Sequence, residues 1–172
     1  MSQQPVTHQP LRAIILRPGE SGWTSFLALP GQMGFYPDYQ IPLRNQLNKE
    51  FLTGGILITT EQNLVGRVAL YQNPSLRFQD QSTGILGNYE CIDSPEVASF
   101  LLETAEKELR KAGNHYLIGP MNGSTWDQYR FTVHPEIEPF FTEQIQPAYY
   151  LTQWEKYGFR GIGEYSSALD LE

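Results

Sequence analysis

The chain has 172 residues, a formal net charge of −7, 40% hydrophobic residues and one cysteine. This length is typical of one domain whose core is large enough to fold without disulfides. The 19 acidic side chains outnumber the 12 basic ones, which disfavours nucleic acid and anionic membrane as partners because both are bound mainly through Lys and Arg. The single cysteine, Cys91, excludes an internal disulfide and favours a reducing cytoplasm as the location.

The N-terminal segment MSQQPVTHQP is polar and has no signal-peptide core. We expect residues 1–10 to form a flexible arm and residues 11–172 to form one domain. No run approaches the roughly 20 apolar residues of a bilayer span, so the sequence predicts no membrane association. His8, His115 and His134 are scattered and lack the spacing of metal ligands, so we expect no metal site.

The hydrophobic pattern predicts strands and short helices in the first half of the chain. In chain order we expect a strand at 11–18, one or two short helical turns around WTSFLALP, a short helix at 42–51, a hairpin at 54–72 and a strand at 83–92. Leu43, Leu47 and Phe51 recur at i, i+4 and i+8, which indicates one face of the short helix. The residues TEQN separate two β-rich runs and indicate the hairpin turn.

A helix from about 95 to 112 has the clearest local pattern. Ser94 or Asp93 can cap its start. Pro95 suits its first position and Gly113 the position just past its end. Next we expect a strand at 114–122, a helix at 146–159 that ends at Gly158, and one or two strands within 159–171. This order combines antiparallel hairpins with a β-α-β crossover, which should be right-handed.

The order of elements and the segment WEKYGF (154–159) resemble the GNAT fold of acyl-CoA N-acyltransferases, whose last helix commonly ends in a similar sequence. A closer resemblance is to a bacterial group of GNAT-like proteins that share several short motifs. These correspond here to FLALP (26–30), IPLR (41–44), GRVALYQN (66–73), GPMN (119–122) and PAYY (147–150). The resemblance implies an α/β (α+β) fold with a mixed, mostly antiparallel central sheet flanked by helices.

GNAT proteins transfer an acyl group from acetyl-CoA or another acyl-CoA to an amine, and they bind CoA between the fourth and fifth strands. The resemblance therefore implies a small-molecule amine as partner, and it implies that the strands ending in GNYECI and HYLIGPMN diverge. The backbone around Cys91 and Ile92 would hold the pantetheine arm and the thioester carbonyl. The residues implied to contact the cofactor are Cys91, Ile92, Asp93, Val97, Ala98 and Asn122.

The phosphate-binding turn of the family, Arg-x-x-Gly-x-Gly or Ala, aligns with DSPEVA (93–98), where only Ala98 matches. Asp93 replaces the arginine, Glu96 replaces a glycine, and Pro95 removes an N–H donor. Two interpretations stay open. In the first, the carboxylates themselves interact with the positive end of the helix dipole and repel a phosphate. In the second, they point outward and CoA still binds.

The family commonly protonates the departing thiolate with a tyrosine four residues before the last helix's glycine, a position that holds Trp154 here. The resemblance implies Tyr150, one turn earlier, as the substitute, although these rings can equally serve only to pack against the sheet. Glu90 stands where some GNAT enzymes keep a base, and a single strand glutamate is also typical of a solvated face. No motif places a histidine beside Cys91, which favours a buried, unreactive thiol.

The loop NGSTWDQYRF (122–131) follows the fifth predicted strand, where a ligand would enter the gap. We expect Trp126 and Tyr129, together with Tyr149, to contact the substrate. Two functions stay open: an acyl-CoA-dependent N-acyltransferase, or a GNAT-fold module without transfer chemistry that binds a small ligand or a protein partner. The sequence leaves the oligomeric state open.

Overall fold

The computed structural model describes residues 10–133 and 143–162. The elements are, in chain order, β1 (Arg12–Leu16), α1 (Trp23–Met33), a 3-10 helix (Asp38–Gln40), α2 (Ile41–Arg44), β2 (Leu52–Thr59), β3 (Leu64–Phe78), β4 (Gln81–Cys91), α3 (Pro95–Lys111), β5 (Tyr116–Ile118) and α4 (Tyr149–Tyr157). The predicted arm and the predicted last strands lie almost entirely outside the described residues. Among the residues that the structure describes, no helix has both the length and the apolar character that a membrane span requires.

In the described part of the chain, five strands form one sheet in the order β1-β2-β3-β4-β5. Neighbours from β1 to β4 pair antiparallel, and β5 lies parallel to β4 after the α3 crossover. The predicted hairpin is confirmed, because Thr59 pairs with Leu64 and the Thr60 N–H donates to the Asn63 carbonyl at 2.9 Å. The mixed, mostly antiparallel sheet flanked by helices is therefore confirmed as well.

A bulge in β4 separates its C-terminal half from β5. Residues 67–69 of β3 lie opposite residues 87–90 of β4, so β4 carries one extra residue there. Asn88 lies in this bulge with a φ of 48°, in the left-handed region that asparagine tolerates better than most residues. The ladder between β4 and β5 covers only Thr83–Ile85 on the β4 side. The Met121 N–H still donates to the Leu86 carbonyl at 2.8 Å. Because a bulge bends its strand, β4 separates from the segment after β5 from Tyr89 onward, which agrees with the expected divergence at the ends of the two segments.

Helices cover both faces of the sheet. Leu101 and Leu102 of α3 and Trp154 of α4 belong to one core together with side chains of β2, β3 and β4. Phe26 of α1 and Tyr71 of β3 belong to a second core. Each fully buried side chain of this size contributes about 1.5–3 kcal/mol relative to exposure. The two cores therefore pack against the two faces of the sheet that contains the gap.

The predicted helix at 42–51 is wrong, because α2 ends at Arg44 and turns and irregular chain follow. The side chain of Asn45 donates to a backbone carbonyl of α1 at 2.8 Å, and such side-chain to backbone bonds compete with helix continuation. Leu47 and Phe51 still pack on the second core, so their spacing reflects burial without a helix. α1 spans 11 residues and is longer than the one or two turns expected.

Candidate active site at the gap between β4 and β5

The gap leaves backbone groups of β4 without a strand partner, and side chains of α4 satisfy them. The Tyr149 hydroxyl donates to the Cys91 carbonyl at 3.1 Å, and the Cys91 N–H donates to the Tyr150 hydroxyl at 3.2 Å. Gln153 donates from Nε2 to the Ile92 carbonyl at 2.8 Å. Helix α4 is thus attached to the edge of β4 that the family resemblance assigns to pantetheine.

Glu90 is the centre of a buried network, the Glu90 cluster, which consists of Tyr36, Arg44, Arg67, Glu90 and Tyr150. Its Oε2 accepts hydrogen bonds from the hydroxyls of Tyr36 at 2.6 Å and Tyr150 at 2.8 Å. Its Oε1 lies 2.6 Å from Arg44 Nε and 3.5 Å from Arg67 Nη2. Glu90 is 0% exposed, so its interpretation as a solvated residue is wrong. A buried carboxylate needs paired charge and hydrogen bonds, and this cluster supplies both.

Two guanidinium groups face one carboxylate in the Glu90 cluster. Arg67 is 0% exposed, and its Nη2 donates to the Arg44 carbonyl at 2.8 Å. Burial lowers the pKa of Arg67 to about 10, with Glu90 opposing the shift and Arg44 adding to it. Arg67 therefore stays charged at neutral pH, and the cluster retains one positive charge without a partner carboxylate among the described residues.

The hydroxyls in the cluster keep their protons at neutral pH. Burial, followed by the negative charge of Glu90, raises the pKa of both Tyr36 and Tyr150. Burial also raises the pKa of Cys91 to about 12. The thiol of Cys91 is 0% exposed, so the expectation that it is buried is confirmed, and its raised pKa favours low reactivity.

The start of α3 offers few N–H groups to a phosphate. The Ser94 Oγ accepts from the Val97 N–H at 3.4 Å, and the Ser94 carbonyl accepts from the Ala98 N–H at 3.0 Å. Pro95 has no N–H. The cap is therefore Ser94 and not Asp93, and the two acidic side chains of this turn are exposed. Neither carboxylate is needed to cap the helix.

A cavity, here called the polar cavity, lies between α2, β4 and the loop after β5. Its empty volume is about 320 Å³, part of it open solvent. Two guanidiniums and five carboxamides line it, those of Arg44, Arg130, Asn88, Asn122, Gln128, Gln144 and Gln146. Tyr89 of β4 also contributes to the wall, so the cavity borders the gap at the point where β4 leaves β5.

The residues expected to contact ligands lie in three places. Asn122 lines the polar cavity, and its Oδ1 accepts from the Asn88 N–H at 2.9 Å. Tyr129 lines the same cavity, whereas Trp126 is 96% exposed and is not part of its lining. The Tyr149 hydroxyl donates to the Cys91 carbonyl at 3.1 Å, and Tyr149 is not part of the cavity lining. The fold thus brings Asn122 and Tyr129 together and leaves Trp126 in solvent.

Trp154, at the family's tyrosine position, packs in the core. It is 2% exposed, and its ring lies 5.4 Å from the Tyr89 ring and 4.5 Å from the Phe159 ring, centroid to centroid. No sequence pattern predicts a role for Tyr36 or Arg67, which the fold brings to Glu90. An arginine inside the apolar strand VGRVALY was the available signal for a buried polar site.

Solved acetyltransferases share this architecture. One is a ribosomal-protein-alanine N-acetyltransferase from Brucella melitensis biovar Abortus 2308, with a TM-score of 0.55, 15% identity, and coverage of 95% of this chain and 100% of that chain. Another is an acetyltransferase of Trypanosoma brucei, with a TM-score of 0.53, 17% identity, and coverage of 94% and 100%. The chain has the GNAT acetyltransferase fold.

A third similar structure with the GNAT fold is the aminoglycoside N-acetyltransferase AAC(6')-Iy in complex with the bisubstrate analogue CoA-S-monomethyl-acetylneamine. Its TM-score is 0.56 at 9% identity, and the match covers 94% of this chain and 99% of that chain. No protein-family model and no curated protein matches the sequence. At identities this low, the similarity shows a shared fold. The chemistry depends on the residues at the site.

Proposed function

We propose that this protein transfers an acyl group from acetyl-CoA or another acyl-CoA to a small-molecule amine. The observation that carries the proposal is the position of Tyr150 and Glu90 at the gap, beside the free edge of β4 at Cys91. The similar structure that holds CoA joined to an amine analogue supports it. The lone, buried thiol supports a cytoplasmic location for the reaction.

The edge of β4 suits the pantetheine arm of the cofactor. The N–H and carbonyl of Cys91 and the carbonyl of Ile92 are backbone groups that an amide-containing arm can bind. Tyr149 and Gln153, which now bond the two carbonyls, would have to turn aside. The start of α3 suits the pyrophosphate less well, because its N–H groups are largely bonded within the turn. Acyl-CoA would supply an activated thioester.

Tyr150 and Glu90 would move the proton that the transfer releases. The attacking amine loses one proton and the departing thiolate gains one. The Tyr150 hydroxyl contacts Glu90 at 2.8 Å and the Cys91 N–H at 3.2 Å, so it can take a proton from the amine while it gives its own to Glu90. The reverse exchange would protonate the thiolate. Tyr36, 2.6 Å from Glu90, would hold the carboxylate in position.

The test combines calorimetry with acetyl-CoA and a thiol-release assay with a panel of amines. Tyr150→Phe should retain acetyl-CoA binding and reduce thiol release by about 100-fold, as expected for loss of proton transfer. Tyr157→Phe is the matched control, because the Tyr157 hydroxyl on the same helix donates to Glu106 instead. Unchanged thiol release in Tyr150→Phe would contradict the role given to Tyr150.

A second candidate is a GNAT-fold module without transfer chemistry that binds a small ligand or a protein partner. The specific observation in its favour is that α4 side chains occupy the edge of β4. In this case acetyl-CoA would not bind. The same calorimetry separates the two, and a thermal shift supports it, because a ligand at 100 times its Kd adds about 2.7 kcal/mol to stability.

A further inference from the structure

Arg44 joins the Glu90 cluster to the polar cavity. Its Nε contacts Glu90 at 2.6 Å, its Nη1 donates to Gln144 Oε1 at 2.7 Å, and its Nη2 donates to the Tyr89 carbonyl at 2.9 Å. A guanidinium has five N–H donors, so three are used, and the other two have no acceptor among the described residues. Because Arg44 also lines the cavity, a ligand there can accept from it.

The polar cavity carries an excess of positive charge. The described residues that line it include Arg44 and Arg130 and no Asp or Glu. Arg130 is paired with Glu143 at 2.8 Å, whereas the Glu90 cluster behind Arg44 holds two guanidiniums and one carboxylate. An anion in the cavity would balance this excess, and a polycation would meet like charge at low dielectric.

Carboxamides complete the recognition surface. Asn88 and Asn122 are fixed by hydrogen bonds to the backbone at Gln46, so they form a rigid wall. The side chains of Gln128 and Gln146 line the cavity and have no hydrogen-bond partner among the described residues. They supply uncharged donors and acceptors for the polar part of a small ligand.

We propose that the acceptor is a small amine that also carries a carboxylate, such as an amino acid, and that its carboxylate binds Arg44. This inference rests on the proposed acyltransferase function. Glu90 and Tyr150 lie behind the cavity wall, and Arg44 connects the two places because it lines the cavity and contacts Glu90 directly. A carboxylate on Arg44 would therefore direct the amine towards this pair. The amine nitrogen then forms the new bond to the acyl carbon as the carbon–sulfur bond breaks.

The experiment titrates the full chain by calorimetry with amino acids, with the primary amides of the same amino acids, and with an aminoglycoside. The same compounds are then offered as acceptors with acetyl-CoA. At least one amino acid should bind roughly tenfold or more tightly than its amide, because the amide lacks the charge that Arg44 attracts. The aminoglycoside should not bind.

A charge placed in the cavity gives a matched pair of variants. Gln146→Glu should weaken amino-acid binding by roughly tenfold, because it puts a carboxylate next to the bound one. Gln62→Glu makes the same change in the exposed turn between β2 and β3 and should leave the affinity unchanged. Equal weakening in both variants would overturn the inference.

The remaining outcomes separate this inference from the proposed function. Acetyl transfer with equal preference for acids and amides, or with preference for the aminoglycoside, overturns the acceptor class and leaves the acyltransferase standing. Amino-acid binding without acetyl-CoA binding supports the carboxylate site and contradicts the acyltransferase. No binding of any amino acid, alone or with acetyl-CoA present, overturns the inference.

Discussion

Arg67 donates a hydrogen bond of 2.6 Å from Nη1 to the carbonyl of Phe26 in α1. Pro30 lies four residues further along this helix and has no N–H to give that carbonyl its helical partner. The guanidinium carbon of Arg67 also lies 4.7 Å from the centroid of the Phe26 ring. The helical proline therefore creates an acceptor for a buried arginine, and the bond joins α1 to β3.

Replacing Arg67 by Met should destabilise the protein. The carbonyls of Phe26 and Arg44 would then be buried without this donor, at about 1–3 kcal/mol each. We expect the free energy of unfolding in urea to fall by about 3 kcal/mol. Arg12→Met, in the exposed edge strand β1, is the control and should stay within about 0.5 kcal/mol. Equal losses of unfolding free energy in the two variants would contradict a stabilising role for the buried hydrogen bonds of Arg67.

Glu90→Gln should be more damaging, although it barely changes the shape of the side chain. It leaves Arg44 and Arg67 buried without a counter-charge, which costs about 3–5 kcal/mol. Glu103→Gln breaks an exposed pair with Lys107 at 2.7 Å and should cost less than about 1 kcal/mol. Urea unfolding of both variants measures the contrast.

A double-mutant cycle sharpens the test of Glu90. The variant with both Glu90→Gln and Arg67→Met buries one unpaired cation where Glu90→Gln alone buries two. Its destabilisation should therefore be smaller than the sum of the two single losses, because contacting residues in one network are not additive. Strict additivity would show that the 3.5 Å separation of Arg67 and Glu90 carries no electrostatic coupling.

Local sequence patterns were sufficient to predict the strands β1 to β5 and the helix α3. Ser94 and Gly113 lie at the two ends of that helix, and Gly113 adopts a φ of 84° just past its end. The prediction of a helix at 42–51 was wrong, because Leu47 and Phe51 pack on the core from turns and irregular chain. Periodicity reports which residues face the core, and it does not report the backbone that carries them there.

The Glu90 cluster could not be predicted, because its members come from distant parts of the chain and meet only in the fold. Arg67 inside an apolar strand predicts some buried partner, since a buried guanidinium needs an acceptor. It does not identify Glu90 or Tyr36 as that partner. The bulge at Asn88, which opens the gap, likewise has no distinctive sequence pattern.

Stability should decrease as the pH rises above about 9. Burial raises the pKa of Cys91 from 9.0 to about 12, so the thiol ionises first in the unfolded chain. Between these two values the folded protein binds more protons, and its free energy of unfolding falls by up to about 1.4 kcal/mol per pH unit for this one group. Tyr36 and Tyr150, whose pKa values are also raised, add to the loss from about pH 10.

Cys91→Ala isolates the first part of this effect. The variant should show a shallower fall of unfolding free energy with pH than the wild type between about 9 and 12, and the contrast should be clearest between about 9 and 10, before the tyrosines contribute. Arg67 opposes the decline only above about pH 10, because its pKa is lowered to about 10 and the unfolded chain then binds more protons. Urea titrations across this range measure the slopes, and parallel curves for variant and wild type would contradict the assignment.

The acidic turn before α3 provides the last prediction. Asp93→Arg combined with Glu96→Gly should strengthen CoA binding by at least about tenfold, or about 1.4 kcal/mol. The change removes two negative charges and adds a positive one at a helix N-terminus, where an anion is favoured. Because Ser94 is the cap, the helix should lose only about 1 kcal/mol, mainly through the new glycine. Calorimetry at low and moderate salt measures the gain, which should shrink as salt rises.

The control for the acidic turn is Glu61→Arg combined with Glu50→Gly, which makes the same charge change at two exposed turns. It should leave CoA affinity nearly unchanged, because salt screens exposed charges that do not contact the cofactor. An equal gain in the control would mean that net charge, and not this turn, limits binding. Micromolar affinity in the wild type with no gain in the variant would mean that Asp93 and Glu96 turn away from the cofactor. The pyrophosphate would then rest on the first turn of α3 despite its acidic sequence.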